Sequence, residues 1–501
     1  MLTSHWILLP LLVPLGTGAL LLWGHALPLF VQRQLSLVAV VVVLTAGIWA
    51  VTQAATGEYL VYALGSWPAP FGILLVLDRL SALMLLLTAS LASLCLLYAS
   101  RGTDRLGANF HALFQFQLLG INGALLTGDL FNLFVFFEVL LIASYALLLH
   151  GGGRARSRAS LHYVIINLVG SAVFLLALGT LYGALGSLNM ADLARRVAQL
   201  DPADRGLVQA AAWMLVLVFS IKAAVLPLLF WLPRAYTAAS APVAALFAIM
   251  TKIGIYALLR TGWSVFGLGE APLNLSIWPL LWPLALLTLL LGGLGALGSQ
   301  SLRSMTAYLV ILSVGVLLAG ISLATAESLA ASLYYLLHST WMTALFFLLA
   351  DLIGRQRDQG YDRFYVKAGV RHPAFLGTLF LLASIGLSGL PPLSGFISKI
   401  WLWQAALQAG QASLLVPIMI AAGVMVILAF SRAGSAWFWL PEQGQSERPL
   451  DQGEVLVVLV LLVVAVWGAW QAEWLADYLR QTAEQLMNAP AYAALLSEAQ
   501  P

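Results

Sequence analysis

The sequence predicts an all-α polytopic membrane protein with about fourteen transmembrane helices. Three observations predict it. Of 501 residues, 61% are hydrophobic and 9% charged, with a mean hydropathy of +0.93; an average soluble domain carries roughly 25% charged residues. Apolar runs of about 20 residues, the length of a spanning helix, recur along the chain. Runs such as 35–51 are continuous rather than alternating, which excludes an outer-membrane barrel. The same balance excludes a soluble enzyme, a disordered chain and a nucleic-acid binder.

In order, the expected spans are about 4–23, 32–54, 78–100, 108–127, 129–149, 160–184, 208–230, 243–265, 276–298, 303–323, 328–353, 373–408, 413–439 and 453–470. No basic segment precedes the first, so it reads as a membrane helix rather than a signal peptide. The fifth opens at Asp129, a good N-cap. The seventh runs into Pro227, and the twelfth holds GLSGLPPLSGF (386–396), which no continuous helix accommodates. Two interrupted helices in corresponding places point to an inverted-repeat transporter. The division expected is an N-terminal three-helix segment (1–107), two five-helix repeats (108–265 and 276–439), then a last helix and an amphipathic tail (440–501). That tail is predicted to lie at the membrane interface.

Loop charge sets the orientation. If the first helix enters from outside, the cytoplasmic loops hold 15 Lys or Arg residues and the opposite side holds 6, so both termini face away from the cytoplasm. Cys95 is the single cysteine, no Cys/His cluster suggests a metal, and no cofactor is expected.

Only four of the 24 basic residues are lysines, and three of them lie inside apolar segments. An ionisable side chain at that depth is a functional-site hypothesis by default. Glu138 sits nine residues beyond Asp129, roughly 13 Å along the helix. Lys222 stands five residues before Pro227, where freed carbonyls and water are expected to reach it. Lys252 and His338 are near mid-span in their helices, and Lys399 follows the Pro391-Pro392 break. A structural ion pair for Glu138, snorkelling for the lysines and a hydrogen-bonded core role for His338 are the bland alternatives. Buried lysine exchanges its proton far more readily than arginine. The five residues therefore form a candidate proton wire, with the neighbouring hydroxyls of Ser220, Thr251, Ser339 and Ser398 ordering water. Arg260 reads as a snorkelling helix end, Asp351 with Arg355 as a helix-end pair, and Lys367 as a loop residue without a role in conduction.

These stretches resemble a known family. TGDLFNLFVFFEVLLIASYALL, SIKAAVLPLLFWLPRAYTAASAPVAA, ALFAIMTKIGIYALLR and SGLPPLSGFISK are similar to the antiporter-like subunits of respiratory complex I and of Mrp-type cation/proton antiporters. The chain is most similar to the D-type subunits of the Mrp antiporters. The resemblance implies fourteen helices, two inverted five-helix repeats and external termini. It assigns the proton pathway to Glu138, Lys222, Lys252, His338 and Lys399, and implies action only within a multisubunit assembly. The function expected is a proton-translocating subunit of a Na⁺ or K⁺/proton antiporter in a bacterial plasma membrane. A redox-driven complex of the complex I or membrane-hydrogenase type is the second reading, and a passive scaffold the third.

Overall fold

The computed structural model describes residues 2–267, 277–357, 361–364, 370–439 and 449–498. Lys367, assigned to a loop above, lies outside the described residues. Short polar or Pro/Gly-rich joints separate long apolar helices, so the chain folds as a bundle. Helices α1 (Leu9–Trp23) and α2 (Leu29–Ala54) lead into a small hairpin of β1 (Leu60–Ala63) and β2 (Leu74–Leu77), antiparallel with Leu60 opposite Leu77. Asp78 then starts α3 (Arg79–Ala99) with a capping box to Ser81. Helices α4 (Phe110–Leu126), α5 (Leu130–Leu149) and α6 (Arg154–Leu185) follow, and the Asp129 carboxylate caps α5 by accepting from the Asn132 amide at 2.8 Å.

After the short α7 (Met190–Ala198), α8 (Arg205–Ala223) stops seven residues before the expected end of its span. The chain restarts as α9 (Trp231–Ala238), α10 (Ala241–Phe247) and α11 (Met250–Leu259), with a π-helical turn over Arg260–Val265. Then come α12 (Ile277–Gly298), α13 (Leu302–Ser322) and α14 (Ala326–Arg355). The long segment from 373 is split into α15 (Pro373–Ser388) and α16 (Ser394–Gln408), followed by α17 (Ala412–Gly434) and α18 (Gln452–Trp470). The tail is α19 (Ala472–Met487), α20 (Ala489–Ala493) and α21 (Leu495–Glu498). Among the described residues twelve helical stretches are long and apolar enough to span a membrane, and α4 and α15 are shorter apolar helices.

The two broken helices end alike. Ala224, at φ 59°, and Gly389, at φ 74°, are left-handed residues just past α8 and α15. Ala224 N donates to Ile221 O (3.1 Å) and Val225 N to Ser220 O (3.0 Å); Gly389 N donates to Gly386 O (3.1 Å) and Leu390 N to Ile385 O (3.1 Å). Left-handed termination of this kind satisfies last-turn carbonyls that a straight helix would use itself. Glycine adopts it freely at 389, whereas Ala224 accepts a steric cost.

A second correspondence lies between α4–α5 and α12–α13. A Cβ on Gly120 would sit 2.6 Å from Leu140 Cβ, and one on Gly292 would sit 2.7 Å from Leu312 Cβ. One turn on, Gly123 faces Phe136 and Gly295 faces Tyr308. All four positions of one pair map onto the other by the same 172-residue step. Small residues let backbones approach closely where lipid gives no hydrophobic drive for association.

The tail departs from expectation. The apolar face of α19 (Leu475, Tyr478, Leu479, Ala483, Leu486) is buried against the protein, on α3 and α14, rather than turned to lipid. Gln485 accepts from the Arg79 amide at 3.0 Å and Tyr478 OH donates to Arg79 O at 3.3 Å.

A candidate proton pathway

Ionisable side chains appear at the middle of the bundle because five separate helices carry one each. Glu138 projects from α5 and is half-buried. Its carboxylate accepts a short hydrogen bond from the Ser171 hydroxyl of α6. Lys222, in the last turn of α8, is buried and donates to Asn167 Oδ1 of α6 at 3.1 Å, with its ammonium 5.9 Å from the centre of the Phe137 ring. Asn167 and Ser171 lie one turn apart, and the Ser171 hydroxyl also reaches Asn167 O at 3.0 Å. Helix α6 thus carries both partners, holding the Glu138 carboxylate and the Lys222 ammonium at residues one turn apart.

Lys252, on α11, is fully buried and donates to the Ser313 hydroxyl of α13 at 2.9 Å. Its helix presses on the first break: a Cβ on Gly254 would lie 2.7 Å from Ala223 N. His338, on α14, sits inside the second break. Its Nε2 is 3.1 Å from Gly386 O and its Nδ1 is 2.8 Å from the Ser394 hydroxyl of α16. Lys399 donates to Ser388 O at 2.5 Å, the last carbonyl of α15.

Expectation and geometry differ at Lys222 and at Arg260. The carbonyls freed by a break were expected at Lys222, but the Trp231 indole takes Ile221 O at 3.1 Å, and it is Lys399 that binds such a carbonyl. Of the hydroxyls adjacent in sequence, Ser339 and Ser398 bond back to their own helices, and Thr251 Oγ1 is buried with no hydrogen-bond partner among the described residues. Glu138 makes no structural ion pair among the described residues, and neither do Lys222, Lys252 or Lys399. Arg260 does not snorkel. It is buried, and its guanidinium grips Asp78 at 2.6 and 2.9 Å while stacking near Tyr492. The Asp351–Arg355 pair is present at 2.6 Å and is extended by Glu454 at 2.6 Å.

Asn167, Ser171, Ser313 and Ser394 are the partners that sequence reading missed. Their signal was an amide or hydroxyl in mid-span, as in YVIINLVGSAV and LVILSVGVLL. The structure joins Glu138 with Lys222 through α6, and His338 with Lys399 around the second break. Among the described residues no hydrogen bond connects Lys252 to either pair.

A polytopic bundle with buried, unpaired ionisable groups at two helix breaks defines a class of ion-moving membrane proteins. Residues 127–425 match the transmembrane family of NADH:quinone oxidoreductase and Mrp antiporter proteins, and the chain belongs to it. It is 40% identical over 97% of its length, and 96% of the relative's, to the D component of a probable K(+)/H(+) antiporter of Rhizobium meliloti. It is 34% identical to the D component of the Na(+)/H(+) antiporter of Bacillus subtilis, covering 98% of both chains. A chain in the structure of the Mrp complex from Dietzia sp. DQ12-45-1b superposes with a TM-score of 0.88, at 26% identity and 100% coverage of both.

Proposed function

We propose that this chain is the proton-translocating membrane subunit of a multisubunit monovalent cation/proton antiporter, moving protons along Glu138, Lys222, Lys252, His338 and Lys399. The observation that carries this reading is the nature of their partners. Each of the three lysines, buried at 222 and 252 and half-buried at 399, meets a neutral oxygen (Asn167, Ser313 or the Ser388 carbonyl) and, among the described residues, no carboxylate. A structural charge in a membrane is fixed by an opposite charge, as Arg260 is by Asp78. A lysine held only by dipoles keeps the option of losing its proton. The Glu138 carboxylate is held by Ser171, one turn of α6 from the Asn167 that holds Lys222, so movement of that carboxylate alters the stability of charge on Lys222.

The assembly sits in a bacterial plasma membrane with both termini non-cytoplasmic, a reading that rests on the Arg-rich loops of one side. Protons running inward drive Na⁺ or K⁺ outward, and other membrane subunits complete the machine. The two five-helix units, 108–265 and 276–439, are supported by the matched helix ends and the 172-residue packing correspondence. The redox-driven alternative is disfavoured by the antiporter names of relatives that match the whole chain. The test is exchange in inverted vesicles with an imposed pH gradient and no electron donor. The intact complex should exchange a monovalent cation for protons, and Lys222→Ala should abolish this while still assembling. Exchange that requires NADH, or a fully active Lys222→Ala complex, rejects the reading.

A further inference from the structure

Within that reading, one hydroxyl has two acceptors and one hydrogen. Gly386 O only accepts, so the His338 Nε2 that faces it at 3.1 Å carries a hydrogen. The other nitrogen, Nδ1, is 2.8 Å from Ser394 Oγ. The same Ser394 Oγ lies 3.0 Å from the carbonyl oxygen of Ala465 on α18. Neutral His338 has a lone pair on Nδ1, so Ser394 donates to it and Ala465 O goes without. Protonated His338 has a hydrogen on Nδ1, so Ser394 must accept there, and its own hydrogen is free to swing to Ala465 O.

We propose that Ser394 is a positioning residue that converts the protonation state of His338 into a hydrogen bond between α16 and α18. The proton binds at Nδ1, the Ser394 O–H rotates, and no covalent bond breaks other than the one delivering the proton. In each state every hydrogen of the imidazole and the hydroxyl has an acceptor, so the histidine is held in place in both forms. The surroundings suit such a rotor. A Cβ on Gly468, one turn from Ala465, would approach Ser394 Oγ to 3.7 Å, so glycine leaves space there. Tyr334 OH, one turn before His338, donates to Gly468 O at 2.7 Å. Helices α14 and α18 therefore share one permanent bond beside the conditional link through Ser394.

Few other charges face this histidine. Lys399 of α16 acts on it electrostatically, and Tyr335 of α14 lies 6.3 Å away between ring centres. Helices α10 and α15 carry no titratable residue; the titratable residues of α3, α13 and α18 (Arg79, Cys95, Tyr98, Arg303, Tyr308, Glu454) are at or near their ends, and those of α19 lie beyond the end of α18.

The test uses the assembled complex with ¹⁵N-labelled histidine, His338 being assigned by the signals lost in His338→Gln. Wild type and Ser394→Thr, which keeps a hydroxyl, should titrate His338 with the same midpoint. Ser394→Ala should move that midpoint by half a pH unit or more, roughly threefold in proton affinity, and shift the pH profile of exchange with it. Equal midpoints in all three overturn the proposal. Should Ser394→Ala not assemble, wild-type complex carrying ¹³C=O alanine supplies the second arm. An alanine carbonyl infrared band should shift with the His338 midpoint, and an invariant band overturns the proposal. Normal exchange in His338→Gln would instead remove His338 from the proton pathway and leave the titration result standing.

Discussion

Lysine and arginine do different work in this protein. Arg260 is locked to Asp78 with bidentate geometry, whereas Lys222, Lys252 and Lys399 each rest on a neutral oxygen. The difference yields opposite mutational outcomes. Arg260→Leu strands a buried carboxylate, a cost of about 3–5 kcal/mol, and should lower the thermal stability of the detergent-solubilised protein. Lys222→Met removes a buried charge with no ionic partner. It should unfold no more easily than wild type while exchange in vesicles is lost. Asn167→Leu takes away the oxygen that holds Lys222 and should cut exchange at least tenfold with assembly intact, whereas a passive scaffold predicts full activity. The depth of the five ionisable residues was legible from the sequence, because burial cost makes each one conspicuous. Their partners were not, since Asn167 is 55 residues from Lys222. Asp78, 182 residues from Arg260, explains why a helix-end arginine looked like a snorkelling one.

At the scale of elements, the breaks and the close helix pairs set the geometry. Gly120 and Gly292 do the same job in α4 and α12, so Gly120→Val and Gly292→Val should each destabilise by about 1–3 kcal/mol through overpacking. Comparable losses in thermal stability of the solubilised protein would verify this, and a neutral effect at one site alone would refute the equivalence. The loop between α3 and α4 offers a pH test outside the membrane. Burial alone pushes the Asp104 carboxyl up, but its bonds to Arg33 (2.6 Å) and His111 (3.1 Å) outweigh this and hold it at about 2. A depressed carboxyl stabilises the fold above its unfolded value near 3.8 and loses that contribution as pH falls through about 2. Between pH 5 and 2 the melting temperature of wild type should therefore fall more steeply than that of Asp104→Asn. The breaks themselves were readable from Pro227 and Pro391-Pro392. Their shared left-handed ends were not, because Ala224 carries no compositional signal for that conformation.

For the whole molecule, the C-terminal helices act as a clamp. Helix α19 covers the start of α3, and Tyr492 of α20 packs over the Arg260 guanidinium that binds Asp78. Removing residues after Gln471 should expose this pair and reduce the melting temperature by several degrees. Amphipathic periodicity announced the helix but could not tell a protein surface from a lipid one, since both accept an apolar face. The membrane class was legible from composition because no other class tolerates this apolar excess. A different kind of statement follows from the 172-residue correspondence between α4–α5 and α12–α13. The same step carries Glu138 onto Val310, and the 165-residue step between the helix breaks carries Lys222 onto Leu387. A close-packing pattern and a helix ending recur in this chain, but Glu138 and Lys222 meet apolar residues at the corresponding positions. Losing Glu138 or Lys222 consequently leaves no ionisable side chain at its matching address to take over.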